Sequence, residues 1–348
     1  MRRHLAASLV VITLVMNLAA ASVSAQSVKI TPLGSHEGEF CSGDRAFLFE
    51  DPTGVRILYD PGATIAGGTD PRLGEVHAVL LSHGHNDHIG GNKIPEMNSG
   101  TCDRPKTVSA APHSNTAEIA AAKNSALVVI PPMDLFLSKK IQSIRGKEIS
   151  ACAEAGLARE ITVPLSAPCR GNLHIGGKRT LKFSGAAQGV QISMVRADHS
   201  NYVARQLLSD GGKTTMAADD LSVYMGNAVG YVLVFTNGLR VYLSGDNALS
   251  GDMKTIINGF YKANLAVINV VPSSMQPEEA AYAINELIQP LAVIPSHTNE
   301  AATKGGRVNP NTRAKQFMEL VKGRPVHLPL SGKTMEFDGS AKCVRGCS

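Results

Sequence analysis

The sequence predicts an α+β chain whose two similar halves face each other within one domain. Three observations lead there. Short strand-like segments precede an alternation of strands and helices, and the second half repeats that order. The segment "VHAVLLS" at 76–82 is short and almost wholly apolar, the pattern of a strand covered on both faces. Several apolar strands also run straight into a histidine or an aspartate, which sets polar donors along one rim.

The first strands are "VKITPL" (28–33), "RAFLFED" (45–51) and "VRILYDPG" (55–62), the last closed by an Asp-Pro-Gly turn. After 76–82 the reading gives a strand "TVSAA" (107–111) and a helix 114–124 capped by Ser114, whose Ala-rich interior favours helix. A strand "ALVVI" (126–130) follows. Residues 131–175 change character and read as an insertion with helical pieces. In the second half "RTLKFS" and "VQISMVRADHS" alternate as strands, and 230–246 reads as a β-hairpin turning at Asn237-Gly238. A helix near 252–259, a strand 265–271, a helix 277–289, a strand 291–296 and a helix from Asn309-Pro310 to about Val321 complete the reading, with Pro310 in the first helical turn.

The composition is 43% hydrophobic and 18% charged over 348 residues, enough for a large core, which excludes a disordered chain. Net charge is +5, of which Arg2 and Arg3 carry two units. With no Lys/Arg run and 5% aromatic residues there is no footprint for nucleic acid, so the expected partner is a small-molecule substrate. Arg2 and Arg3 precede an apolar stretch ending in Val23-Ser24-Ala25, the layout of a secretory signal peptide over 1–25 with the mature domain at 26–348. That predicts a periplasmic or secreted protein with no membrane attachment after cleavage. Six cysteines in an exported chain point to disulfides. Cys152 with Cys169 and Cys343 with Cys347 are local pairs that leave Cys41 with Cys102, although six cysteines permit fifteen connectivities.

The chemistry concentrates in "SHGHNDHIGG" at 82–91. His83 and His85, two apart at a strand end, face one side. Asp87 and His88 turn toward a second nearby point, and Gly84, Gly90 and Gly91 let the backbone turn tightly. Without a ligand such imidazoles would repel one another on protonation, so the cluster reads as a place for two adjacent metals. Three more donors end strands: His199, Asp246 and His297. Together they supply His83, His85 and His199 for one metal and Asp87, His88 and His297 for the other, with Asp246 between them. His113 is an alternative to His199, while His36, His77, His174 and His327 have no paired donor and read as ordinary residues.

The order of Asp60, H83-x-H85-x-D87-H88, His199, Asp246 and His297 resembles the metallo-β-lactamase superfamily. The phrases "ADHSN", "GYVLVFTNGLRVYLSGDN" and "VIPSHTN" are similar to its L-ascorbate-6-phosphate lactonase-like branch of metal-dependent hydrolases. The resemblance runs over about 28–337, interrupted at 131–175. It implies an αββα four-layer sandwich with a helical insertion and with metals at one edge. It also implies that Asp60 is no ligand but holds the loop histidines by hydrogen bonds.

A donor set of nitrogen and oxygen without thiolate suits two Zn²⁺, with Mn²⁺ as the alternative. A hydroxide bridging two such cations, its parent water lowered in pKa from ~15.7 toward ~7, attacks an ester, lactone or phosphoester. In this scheme Asp246 holds the metals together and Asp87 orients the nucleophile. Asn201, Tyr202, Asn247 and Asn299 stand beside ligands as candidate donors to an oxyanion. The competing readings are a periplasmic β-lactamase and a non-catalytic metal-binding protein that kept the fold.

Overall fold

The computed structural model describes residues 26–203, 205–208 and 222–348. The expected leader at 1–25 and part of the polar loop at 200–229 lie outside the described residues. No helix among the described residues is long and apolar enough to cross a membrane.

Two mixed sheets pack face to face. One has eight strands in the spatial order Cys343–Arg345, Met335–Phe337, Val28–Pro32, Phe47–Glu50, Arg56–Tyr59, Ala78–Leu80, Ala126–Val128 and Cys169–Arg170. The other has seven, ordered Ala292–Ser296, Leu265–Asn269, Arg240–Leu243, Val229–Val234, Val190–Arg196, Lys178–Phe183 and Glu160–Val163. The main core lies between them, joining Ile30, Phe49 and Ile57 of the first sheet to Ile192, Leu233 and Val241 of the second. A second apolar layer covers the outer face of the seven-stranded sheet. There Val232, Tyr242, Ala266 and Ile268 meet Met253, Ile257, Ile284 and Phe317 from the helices outside. Helices Asn115–Lys123 and Pro131–Arg145 accompany the other sheet, with Ala117, Ile119, Leu137 and Ile141 buried in apolar contact continuous with the main core. The architecture is the αββα sandwich.

This layering explains why Val229–Val234 lacks hydrophobic alternation. Val229, Tyr231 and Leu233 enter the central core while Val232 enters the outer layer, so both faces are dry. Each such fully buried side chain contributes about 1.5–3 kcal/mol. The Tyr231 hydroxyl crosses the interior and donates to the carbonyls of Leu81 (3.0 Å) and Val128 (2.9 Å), tying the two sheets together immediately before the histidine loop.

The hairpin forms as expected, Val229–Val234 pairing antiparallel with Arg240–Leu243. Ser114 caps its helix by accepting from the Ala117 N–H at 3.2 Å. The six cysteines form Cys41–Cys102, Cys152–Cys169 and Cys343–Cys347.

Four local readings differ from the structure. The segment 131–175, read as an insertion with helical pieces, holds two strands as well as a helix. After helix Pro131–Arg145 it supplies Glu160–Val163, parallel to Lys178–Phe183, and Cys169–Arg170, parallel to Ala126–Val128, so it extends both sheets. The strand at 107–111 shrinks to Val108–Ser109 in a small ribbon with Asn92–Lys93, because its side chains stay in solvent. The last helix is Arg313–Leu320, capped by Thr312 and not begun by Pro310. Asn311, left-handed at φ 58°, breaks the run between them. Finally, the reading ends at the helix near Val321, whereas a further strand, Met335–Phe337, returns to pair with Val28–Pro32.

Candidate metal centre

All seven donors stand at the ends of strands or in the loops that leave them, on one rim of the sandwich. Ala78–Leu80 leads to His83, Val190–Arg196 to His199, Arg240–Leu243 to Asp246 and Ala292–Ser296 to His297. His85 precedes the one-turn helix Asn86–Ile89, which carries Asp87 and His88. Gly90 ends that turn in the left-handed region at φ 75°, where a Cβ would also lie 2.4 Å from the Asn115 Cβ. At Gly84 a Cβ would stand 2.9 Å from Val203 Cγ2 and 3.0 Å from the Tyr202 carbonyl, so only glycine lets the two loops touch.

Three sets of donor atoms converge, each set within 4.8 Å: His83, His85 and His199; His83, His88 and Asp246; Asp87, His88 and His297. His85 Nδ1 is 3.0 Å from His83 Nε2 and 3.3 Å from His199 Nε2. Asp246 Oδ2 is central: 3.2 Å from His297 Nε2, 3.3 Å from His88 Nε2, 3.9 Å from His199 Nε2 and 4.0 Å from His83 Nε2. The grouping anticipated from spacing is therefore the grouping in space.

A hydrogen-bonded relay orients the rings from behind. Asp60 Oδ1 accepts from the Ser82 N–H at 2.7 Å. Its Oδ2 accepts from the Ser82 hydroxyl at 2.7 Å and lies 2.9 Å from His88 Nδ1. With its only hydrogen given to Asp60, Ser82 Oγ accepts from His83 Nδ1 at 2.9 Å. One buried carboxylate thus places a hydrogen on Nδ1 of two imidazoles and aims both Nε2 atoms at the centre. Ser274 Oγ, 3.1 Å from His199 Nδ1, stands behind the third ring. Asp60 does this from a left-handed backbone, φ 41°, and His297 is also left-handed at φ 55°.

Burial pulls the imidazoles of His83, His85 and His199 down, His85 to about 4, with neighbouring imidazoles adding to the effect. These rings are neutral donors at neutral pH. Burial also acts against a charge on His88, but the carboxylates of Asp246, Asp60 and Asp87 outweigh it and push that group up to about 10, so a cation arriving at Nε2 takes the place of a proton there while Nδ1 keeps its hydrogen. Asp246 and Asp87 are held far below the usual carboxylate range. In each case burial opposes ionisation, and it is overcome by His297 and His88 at Asp246 and by Arg45 and His88 at Asp87.

The residues fit a divalent cation. Among the described residues, His88 Nε2 and Asp246 Oδ1 are buried polar atoms without a hydrogen-bond partner, although each ring or carboxylate is otherwise held. Such orphans on buried imidazole and carboxylate groups that converge with other donors are what a metal ion satisfies.

Other expectations change. Asn201 is no oxyanion donor: its Oδ1 accepts from the Gly84 N–H at 2.7 Å and its Nδ2 faces the carbonyls of Met225 and Asn227. Asn247 likewise bridges the Asp198 N–H and the Tyr242 hydroxyl. Asn299 Oδ1 accepts from Arg45 Nη2 at 3.4 Å. Tyr202, half-exposed, sets its ring 4.2 Å from that of His85 and walls that side. His113 joins none of the three donor sets. His77 accepts from the Arg56 N–H, and His327 packs on Phe337, as ordinary residues do.

The sequence reading missed Ser82, Ser274 and Arg45. The serines carry no signal beyond adjacency to a histidine or a turn. Arg45 opens the segment read as a strand at 45–51 and carried no functional signal there, yet it is 4% exposed. Its Nη1 pairs with Asp87 and lies 2.7 Å from His297 Nε2.

Comparison with known proteins follows the geometry. The profile of the Beta-lactamase superfamily domain matches residues 41–297. A metal-dependent hydrolase of Koribacter versatilis is 29% identical over 276 residues, covering 78% of this chain and 84% of that protein. One of Cupriavidus taiwanensis is 26% identical over 271 residues, covering 76% and 75%. Their names stop at metal-dependent hydrolase and single out no lactonase-like branch. A metallo hydrolase of the archaeon Ignicoccus hospitalis shares the fold, with TM-score 0.53 and 20% identity over 90% of this chain and 99% of that one. With the profile spanning every donor from His83 to His297, the chain belongs to the metallo-β-lactamase superfamily.

Proposed function

We propose that the protein is a metal-dependent hydrolase that holds two zinc ions and cleaves an ester, lactone or phosphoester of a small molecule. The observation that carries this reading is the convergence of seven donors around Asp246 Oδ2, with His88 Nε2 and Asp246 Oδ1 buried and without a hydrogen-bond partner. His83, His85 and His199 would hold one ion, Asp87, His88 and His297 the other, and Asp246 Oδ2 would face both. Bound zinc supplies two things, an acidified water and a Lewis acid for the substrate oxygen.

The chain's own groups do the rest. Asp60 and Ser82 hold the Nδ1 sides of His83 and His88 and keep their Nε2 atoms directed inward. Asp87, ionised and with 47% of its side chain exposed, faces the solvent side, where a carboxylate accepts a hydrogen bond from an attacking water and orients it. Tyr202 offers an apolar wall beside His85 against which the non-reacting part of a substrate rests. Export to an oxidising compartment is part of the proposal; the apolar N-terminal stretch and the three disulfides support it.

The test is a hydrolysis screen of lactones, phosphodiesters, phosphomonoesters and β-lactams with zinc-loaded protein lacking residues 1–25, beside metal analysis. Two equivalents of zinc and turnover on one of the first three classes is the expected result. Turnover of β-lactams alone would replace it by the β-lactamase reading, and metal without turnover on any class would favour a binding protein.

A further inference from the structure

The guanidinium of Arg45 stands where the second ion of the proposed pair belongs. Arg45 Nη1 is bonded to Asp87 Oδ2 and lies 2.7 Å from His297 Nε2, and those two acceptor atoms are themselves 3.3 Å apart. Both belong to the Asp87, His88, His297 donor set. Zinc bound to that pair would lie about 2.0–2.2 Å from each atom, inside the volume that Nη1 and its hydrogens fill. Guanidinium remains charged throughout the accessible pH range and has no lone pair to offer a metal. It is therefore a rival of the ion and not a ligand to it.

Among the described residues no lysine or arginine bonds to a member of the other donor set. His83 Nε2, His85 Nδ1 and His199 Nε2 face one another directly, with serine hydroxyls behind two of the rings. The two half-sites thus differ in what an arriving cation must displace.

Arg45 is also held in place. Its Nε donates to the Gly43 carbonyl at 3.1 Å and its Nη2 to Asn299 Oδ1 at 3.4 Å. The preceding residue is anchored too, Asp44 accepting from the N–H groups of Ser35 (2.9 Å) and Cys41 (2.8 Å). Cys41 is in turn tied to Cys102. The Arg45 side chain is 3% exposed while that of Asp87 is 47% exposed, so an ion approaching from solvent meets Asp87 first and finds it paired.

We propose that Arg45 is a built-in competitor for the second metal ion, so that the His83, His85, His199 half-site fills first and the Asp87, His88, His297 half-site fills only as the guanidinium is displaced. This inference rests on the two-zinc reading above. It makes occupancy of the second position, and with it the two-metal state, a function of metal concentration.

Equilibrium dialysis of the full mature protein against zinc, with metal content read by mass spectrometry, tests it in the wild type and in Arg45→Gln. The expected result is two separate steps in the wild type, the second at least about tenfold weaker. In Arg45→Gln the second step tightens by about tenfold while the first is unchanged. Two equal steps in the wild type, or a second step indifferent to Arg45→Gln, overturn this inference and leave the two-zinc reading intact. Failure of the wild type to take up any zinc overturns the underlying reading and this inference with it. A crystal structure of the wild type in excess zinc requires no variant to fold: the guanidinium should have left Asp87 and His297. Zinc on both half-sites with Arg45 Nη1 still between those residues overturns the proposal.

Discussion

Replacing Asp60 by asparagine keeps the volume of the side chain and reverses the logic of the relay behind the histidines. Asp60 is 1% exposed and accepts from the Ser82 N–H, the Ser82 hydroxyl and His88 Nδ1. An amide can still accept the Ser82 N–H through its oxygen, but its NH₂ then faces Ser82 Oγ and His88 Nδ1. Both would have to become acceptors. His88 would shift its hydrogen to Nε2, the atom aimed at the centre, and Ser82 would turn its hydroxyl hydrogen on His83 Nδ1 with the same consequence there. Hydrogen bonds to a charged group contribute about 1.5–3 kcal/mol each, and one of the two on Oδ2 is regained in altered form, so the metal-free protein should lose about 2 kcal/mol of stability. Disturbing a group that orients ligands typically weakens metal binding by about 10–100-fold, or about 1.4–2.7 kcal/mol. The measurement is competition against a chromogenic zinc chelator, with urea unfolding in EDTA as the fold control. An Asp60→Asn protein that binds zinc as tightly as wild type would refute the tautomer argument, whatever its stability.

Three further outcomes follow from the same structure. Tyr231→Phe removes the hydroxyl that bridges the Leu81 and Val128 carbonyls and should cost about 1–3 kcal/mol in denaturant unfolding; an unchanged midpoint would mean the sheets are not joined there. The double variant Cys41→Ser with Cys102→Ser opens a 61-residue separation and should lower stability by up to about 4 kcal/mol, read as a fall in Tm under non-reducing conditions; an unchanged Tm would refute the contribution of that bridge. Burial works to raise the Asp70 carboxyl, but the Arg72 guanidinium and two backbone N–H groups outweigh it and hold it below 3.8. A carboxylate lowered on folding contributes stability that is complete above its ordinary pKa and lost as pH falls through the folded value. Asp70→Asn should therefore flatten the acid limb of the stability curve below about pH 4 and leave its alkaline side unchanged in slope; a wild-type acid limb in the variant would refute the pairing.

The donors were legible in the linear chain because ligation restricts both residue type and position. "HGHNDH" concentrates them where a short strand ends, and the remaining three end strands whose apolar runs are unmistakable. The role of Asp60 was legible only through the family resemblance. The strands buried on both faces were visible for a related reason: a position with no solvent on either side tolerates few residues. The strands within 131–175 were missed because edge strands as short as Cys169–Arg170 leave too few residues for any period to show. The C-terminal return of Met335–Phe337 was missed for the same reason.

What the chain carries in its letters is chemistry and local period: seven nitrogen and oxygen donors, the turns that aim them and the strands that deliver them. Which hydrogen each imidazole keeps, and which cation already lies between Asp87 and His297, depends on groups brought together across 22, 42 and 252 positions of sequence. Ser82 and Arg45 have no local signature, since a serine hydroxyl or a guanidinium takes its role only from the acceptor that folding sets against it. Burial then makes those few contacts decisive, because away from water each unpaired atom and each uncompensated charge must be answered by a specific neighbour.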